Sequence, residues 1–303
     1  MVVAGLFLAA LFFVTGCNRP AAESAQAAEL DEAWNQYGYG AYDASLRAFK
    51  NFAVSVPTSD PRHTAALFGQ ATVWNWRRPG EDRVRAGEIY ERIRRDFPRS
   101  DFAAWSALAL ARAAWLVPVG QTPDRGKVAS LFDNVIANYP GSQAAEEATI
   151  SLQAMRVESF DTQQAAGARD ALQAFVRTDP GSIFLGAAYS VLSEAERVLG
   201  NPEARLRAEI AAYKAREHLA RTIWEKNLRG PFLFNDPSAL FKIAKIAEFD
   251  VGDFPTAQDY YQRFLHDNPT EKRRFFAEES LSRMQRTEDS IRKELLNVVP
   301  QGQ

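Results

Sequence analysis

Five prolines, Pro57, Pro98, Pro140, Pro180 and Pro269, each close an apolar stripe of helical period, and their spacing limits what this 303-residue chain can become. Successive intervals are 41, 42, 40 and 89 residues, the last close to two periods, so one degenerate unit falls between Pro180 and Pro269. A fixed period of this size is the mark of a repeat architecture. The stripes align in phase: Ala48, Phe49, Phe52, Ala53 and Val56, then Ala86, Ile89, Tyr90, Ile93 and Phe97, then Val128, Leu131, Phe132, Val135, Ile136 and Tyr139. The fourth reads Ala168, Ala171, Leu172, Phe175 and Val176, and the last Ala257, Tyr260, Tyr261, Phe264 and Leu265. Apolar residues recurring three and four apart make one helix face. A following proline stops the helix, because it lacks a backbone donor and pushes the preceding residue out of the α region.

Each stop releases a second helix. Ser100, Ser142 and Ser182 lie two residues beyond their prolines as expected N-caps, and small-residue-rich stretches follow at 102–115, 144–157 and 183–199. Gly40-Ala41-Tyr42 and Gly252-Asp253-Phe254 read as tight turns between helices, with longer turns at 77–80 and 118–126. No run of β-branched residues with period two occurs, so the expectation is all-α with no sheet. The unit between Pro180 and Pro269 is irregular: a long helical stretch opens at Asn201-Pro202 and ends at Gly230-Pro231 and the aromatic turn Phe232-Leu233-Phe234.

The pairs resemble the tetratricopeptide repeat, a helix-turn-helix unit whose second helix carries an A-x3-F pattern and ends at proline. Ala86-x3-Tyr90 before Pro98 and Ala257-x3-Tyr261 before Pro269 match best. The period departs from the family's 34 residues, and longer first helices and turns account for the excess. The resemblance implies an α-solenoid of about six tetratricopeptide-like helix pairs over residues 29–297, with the charged amphipathic stretch after Pro269 as a C-terminal capping helix.

The N-terminus carries a second signal. Val2 to Val14 are 13 consecutive apolar or Gly residues, roughly 20 Å of helix against the about 30 Å of a bilayer core. An export signal fits that length better than a membrane span. Val14-Thr15-Gly16-Cys17 resembles the lipobox of bacterial lipoproteins, and Cys17 is the chain's only cysteine. The resemblance implies cleavage after Gly16 and lipidation of Cys17. No Lys or Arg precedes Arg19, which departs from the usual charged start of an export signal. The expected organisation is a signal peptide at 1–16, a flexible tether at 17–28, the repeat at 29–297 and a disordered tail at 298–303. Among lipid-anchored repeat proteins, Asn138-Tyr139-Pro140-Gly141-Ser142 with Ala144, Ala145 and Ala148 resembles the lipoprotein component of the outer-membrane β-barrel assembly machinery. That resemblance implies a periplasm-facing, outer-membrane scaffold whose partners include a β-barrel insertion protein. An adaptor for cell-wall or polysaccharide export machinery is the rival reading.

A formal charge of −2 argues against nucleic acid as a partner. The basic stretch from Arg77 to Arg95 is interleaved with Glu81, Asp82, Glu88 and Glu91 and reads as a solvated helix face. His63, His218 and His266 lie far apart without metal-ligand spacing, and no HExxH, paired CxxC, GxxxxGK[ST] or GxSxG occurs. His266, near a helix end, suits a capping role. Cell-wall lytic transglycosylases share helical superstructures, but Glu279-Ser280 lacks the sequence company of their catalytic domain. The expectation is a non-enzyme without metal or cofactor. Trp34 and Tyr37 fall three apart on one helix face, with Trp74 and Asn75 on the next first helix; they form either a peptide-binding groove or, together with Trp76, part of the core.

Overall fold

The computed structural model describes residues 21–77, 80–227 and 234–298. The described residues are helical throughout their regular structure, with no strand. In order they are α1 (Ala21–Gly38), α2 (Tyr42–Ser55), α3 (Pro61–Trp76), α4 (Arg83–Asp96), α5 (Asp101–Trp115), α6 (Arg125–Asn138) and α7 (Gln143–Val157). There follow α8 (Thr162–Thr178), α9 (Leu185–Val198), α10 (Pro202–Asn227), α11 (Pro237–Lys245), a π-helical turn (Ile246–Val251), α12 (Phe254–Asp267) and α13 (Arg274–Val298).

Every proline that marked a stop ends a helix at the same offset: α2, α4, α6, α8 and α12 finish two residues before Pro57, Pro98, Pro140, Pro180 and Pro269. The intervening cap residue leaves the α region as the proline ring demands, with φ −112°, ψ 145° at Val56 and φ −132°, ψ 53° at Phe97. Behind each stop the same three positions, twelve, eight and five residues before the proline, are buried. They are Ser45, Phe49 and Phe52; Ala86, Tyr90 and Ile93; Val128, Phe132 and Val135; Ala168, Leu172 and Phe175; Ala257, Tyr261 and Phe264. The sequence repeat is therefore a repeat of burial.

Short polar caps start the helices. Asp60, Asp82, Ser100, Ser142, Asp161, Asp236 and Asp253 each accept a hydrogen bond from a first-turn amide of α3, α4, α5, α7, α8, α11 and α12. Ser182 differs from expectation. Its Oγ accepts from the amide of Phe184, but α9 begins only at Leu185, so it caps a turn ahead of the helix; the same hydroxyl donates to Glu146 Oε2 over 2.5 Å. Gly40 and Gly252 occupy the tight turns at φ +78°, a region open to Gly without a Cβ penalty. The segment expected to be a tether is helical from Ala21. Ala, the strongest helix former, dominates residues 21–28, and composition alone does not separate a small-residue tether from a helix start. Residues 1–20, with Gly16 and Cys17, and 299–303 lie outside the described residues.

Two compact units divide between Val135 and Ile136, inside α6. In the first, α1 to α4 each pack on the next helix, with α4 on α5. Its core joins Leu30, Leu46, Phe49, Phe68, Val73, Tyr90 and Ile93. Gly69 on α3 is what lets α2 approach: a Cβ there would lie 2.5 Å from the buried Phe49 ring. Ser45 donates to Ala33 O over 2.8 Å, and His63 Nδ1 to Ala53 O over 2.9 Å. A carbonyl only accepts, so the Nδ1 atom carries the proton, and His63 is a core residue tying α3 to α2.

In the second unit, α7 packs on α8, α8 on α9, α9 on α10, α10 on α11 and the π turn, α11 on α12 and α12 on α13. Its core centres on Tyr213, Leu240, Ile243, Tyr261, Phe264 and Met284. Packing thus follows chain order in both units. Among the described residues, no helix is long and apolar enough to cross a membrane.

Candidate functional site

The second unit contains a recess of about 610 Å³, built on one face of α11 and the π turn. Asp236 caps α11, accepting from the amide of Ala239 over 3.0 Å. Leu240, Ile243 and Ala244 then point into the core, which leaves Phe241, Lys242 and Lys245 on the opposite side to line the recess. The turn from Ile246 to Val251 widens into π geometry and closes when the amide of Gly252 donates to Ala247 O, five residues back. Such bulges concentrate at functional positions. Within this turn Glu248 is buried and Phe249 faces out, the latter 54% exposed.

Glu248 is buried, and both its oxygens are engaged. Tyr261 Oη donates to Oε2 over 3.0 Å, and Arg283 Nη2 donates to Oε1. Arg283 also donates to Ser280 Oγ over 3.0 Å, and its guanidinium lies 5.2 Å from the Phe249 ring centre. The π turn is thereby held to α12 by one hydrogen bond and to α13 by one ionic and one cation–π contact. Burial, the largest influence, raises the Tyr261 phenol above its usual value, with the Glu248 charge acting in the same direction.

A series of rings leads from core to surface. Phe241 sits 5.9 Å from Tyr261 and 5.3 Å from Phe264, both fully buried; Phe276 lies 5.5 Å from Phe241, and Phe249 lies 6.3 Å from Phe276. Cations are spaced among them. Arg273 stands 5.0 Å from the Phe241 ring centre and Lys245 5.8 Å from that of Phe276, within the range of cation–π attraction. Arg205 bonds Asp250 over 2.5 Å, Arg273 bonds Glu271, and Lys242 meets Glu194 at 3.1 Å and Glu209 at 2.8 Å. Burial pushes the Glu194 carboxyl upward, but Arg197 and Lys242 outweigh it and hold the group below the ordinary carboxylate range. Lys245 is exposed, and no described carboxylate pairs with it. An apolar floor with a few placed charges is the usual form of a binding pocket.

The residues singled out near the N-terminus lie elsewhere. Trp34 packs edge-on to Phe49 at 4.9 Å and to Tyr37 at 5.9 Å, and Tyr37 contacts Tyr42 at 5.6 Å. All are half-buried or buried against the first unit's core. Trp74 is half-buried, surrounded by Arg85 at 4.6 Å, Arg77 at 5.4 Å and Lys50 at 5.8 Å, and Asn75 is buried. The structure brings Trp34 and Tyr37 together, both half-buried beside neighbours within the chain. His266 Nδ1 meets Asp267 Oδ1 at 2.9 Å in the last turn of α12. Among the described residues, no group of His, Cys, Asp or Glu is placed to hold a metal ion.

Sequence reasoning passed over Phe241, Lys245, Phe249, Arg273 and Phe276. Phe241, Lys245 and Phe249 stand four apart in turn, a spacing that places ring, cation and ring on one helical side; that was the available signal. Of the irregular unit's aromatic turn, Phe232 and Leu233 lie outside the described residues, while Phe234 packs 5.5 Å from Tyr213. No protein-family model matches the chain, and a search of curated proteins finds no relative.

Proposed function

We propose that this chain is a non-enzymatic, tetratricopeptide-like α-solenoid that binds protein partners while tethered through lipidated Cys17 to a membrane of the bacterial envelope, facing the periplasm. The observation that carries the reading is the buried triplet recurring behind five prolines from Ser45 to Phe264. Helix pairs stacked in this way build recognition surfaces from repeated units. The lipobox-like run ending at Cys17 supports the tether, and the cation-lined recess supports a binding rather than a purely architectural role. The proposed setting is assembly of β-barrel proteins at the outer membrane, resting on the resemblance around Asn138 to Ser142.

Affinity purification of the native chain from detergent extracts of the host envelope tests the setting. The expected result is co-purification of a β-barrel insertion protein at near-stoichiometric yield. Recovery of cell-wall or polysaccharide-export components in its place would overturn that assignment.

A further inference from the structure

We propose that the recess on α11, the π turn and α13 is the docking site for an acidic segment of a protein partner, which inserts one aromatic or aliphatic side chain between Phe241, Phe249 and Phe276. The proposal rests on the binding-scaffold reading and specifies its partner's chemistry.

Three features of the site lead there. The first is shape: a concavity of about 610 Å³ floored by phenyl rings accommodates an inserted side chain with its flanking backbone. The second is charge. Arg205, Lys242, Lys245 and Arg273 line the recess against one carboxylate, Asp250. Three of these cations already have acidic neighbours within the chain, which leaves Lys245, exposed at the rim over the Phe276 ring, as the lining cation that no described carboxylate pairs with. An acidic side chain of a partner would pair with it while the partner's apolar anchor displaces water from the rings, the combination of central anchor and charged rim found at interface hot spots.

The third feature is exposure. Phe249 at 54% and Phe276 at 39% are large apolar side chains left in water, and they belong to one continuous ring series rather than to scattered positions. A contiguous exposed apolar patch marks an interaction site. The Glu248–Arg283 contact fixes the π turn that holds Phe249 outward, so the site is preformed and little ordering is lost on binding. An anionic bilayer matches the charge but not the shape, because a flat headgroup surface does not enter a concave recess.

The test uses the full chain in non-ionic detergent and fluorescent peptides of about a dozen residues, carrying a central Phe flanked by Glu. Two control peptides replace Phe by Ala or every Glu by Lys. The acidic peptide should bind, each control should bind at least about ten-fold more weakly, and binding should weaken with added salt. Phe249→Ala and Lys245→Glu alter exposed side chains, and each should lower affinity for the acidic peptide about ten-fold with the thermal midpoint unchanged. Lys245→Glu should in addition strengthen binding of the Lys peptide, a gain that misfolding does not produce. Undetectable acidic-peptide binding, or equal binding by both variants, would overturn the proposal. So would preferential, variant-sensitive binding of phosphatidylglycerol vesicles, or a self-association that Lys245→Glu abolishes. Because these measurements need neither the lipid nor the envelope partner, their failure leaves the co-purification result standing, and loss of the co-purification result leaves them standing.

Discussion

Tyr261 donates its hydroxyl to Glu248 Oε2 over 3.0 Å, and this contact joins α12 to the π turn at the base of the recess. Arg283 from α13 holds the other oxygen. Three separate stretches of chain thus meet on one buried carboxylate. Glu248→Ala should destabilise the second unit by about 2 kcal/mol, because a buried phenol loses its acceptor, while the half-exposed Arg283 can turn to water. Urea denaturation checks the magnitude. A change below about 0.5 kcal/mol would show that the contact does not brace the turn.

Two helical glycines should respond in opposite directions to the same change. Gly167 on α8 is exposed with no atom within 4 Å of an added Cβ, so Gly167→Ala should stabilise by about 1 kcal/mol through helix propensity. At Gly69 the added methyl would meet the Phe49 ring at 2.5 Å. Gly69→Ala should therefore destabilise by about 1–3 kcal/mol despite the better propensity. Denaturation midpoints of the two variants decide the matter.

Within a single stripe, the triplet positions should outweigh their neighbours. Leu172→Ala removes a fully buried side chain from α8 and should cost about 2–5 kcal/mol. Val176→Ala, at a half-buried position of the same helix, should cost under about 1 kcal/mol. Comparable losses would mean that the repeat of burial does not carry the packing energy.

Alkali should unfold the chain through its tyrosines. Burial raises the phenols of Tyr37, Tyr90, Tyr213, Tyr260 and Tyr261, with Tyr37 pushed up to about 12. In the unfolded chain these groups ionise near pH 10 while the folded ones keep their protons. Stability is then full below about pH 10 and falls as the pH climbs toward 12. Absorbance at 295 nm and far-UV circular dichroism, followed together, should show that the part of the absorbance change due to these five of the nine tyrosines coincides with loss of helix. Ionisation of all nine near pH 10 with helix intact would contradict the burial of these rings.

The repeat was legible in the sequence because two local signals coincide: a proline forces a stop, and a residue at the twelfth, eighth and fifth position before it must face its neighbours. Ser45 shows how tolerant that code is, since a hydroxyl satisfied by Ala33 O serves where other units place Ala or Val. The recess was not legible. Its rings and cations come from α10, α11, the π turn and the start of α13, and spacing within one helix does not reveal which side chains of elements distant in sequence meet. Near the N-terminus, Trp34 and Tyr37 could be placed on one face by spacing, but spacing does not say whether Phe49 fills the space beside them.

The claim that this scaffold works from a membrane rests on Cys17, and radiolabelled palmitate tests it most directly. In the host, the wild-type chain should incorporate label and sediment with the envelope membranes, while Cys17→Ala should incorporate none and appear in the soluble fraction. Membrane recovery of Cys17→Ala at wild-type abundance, or an unlabelled wild-type chain, would contradict the account.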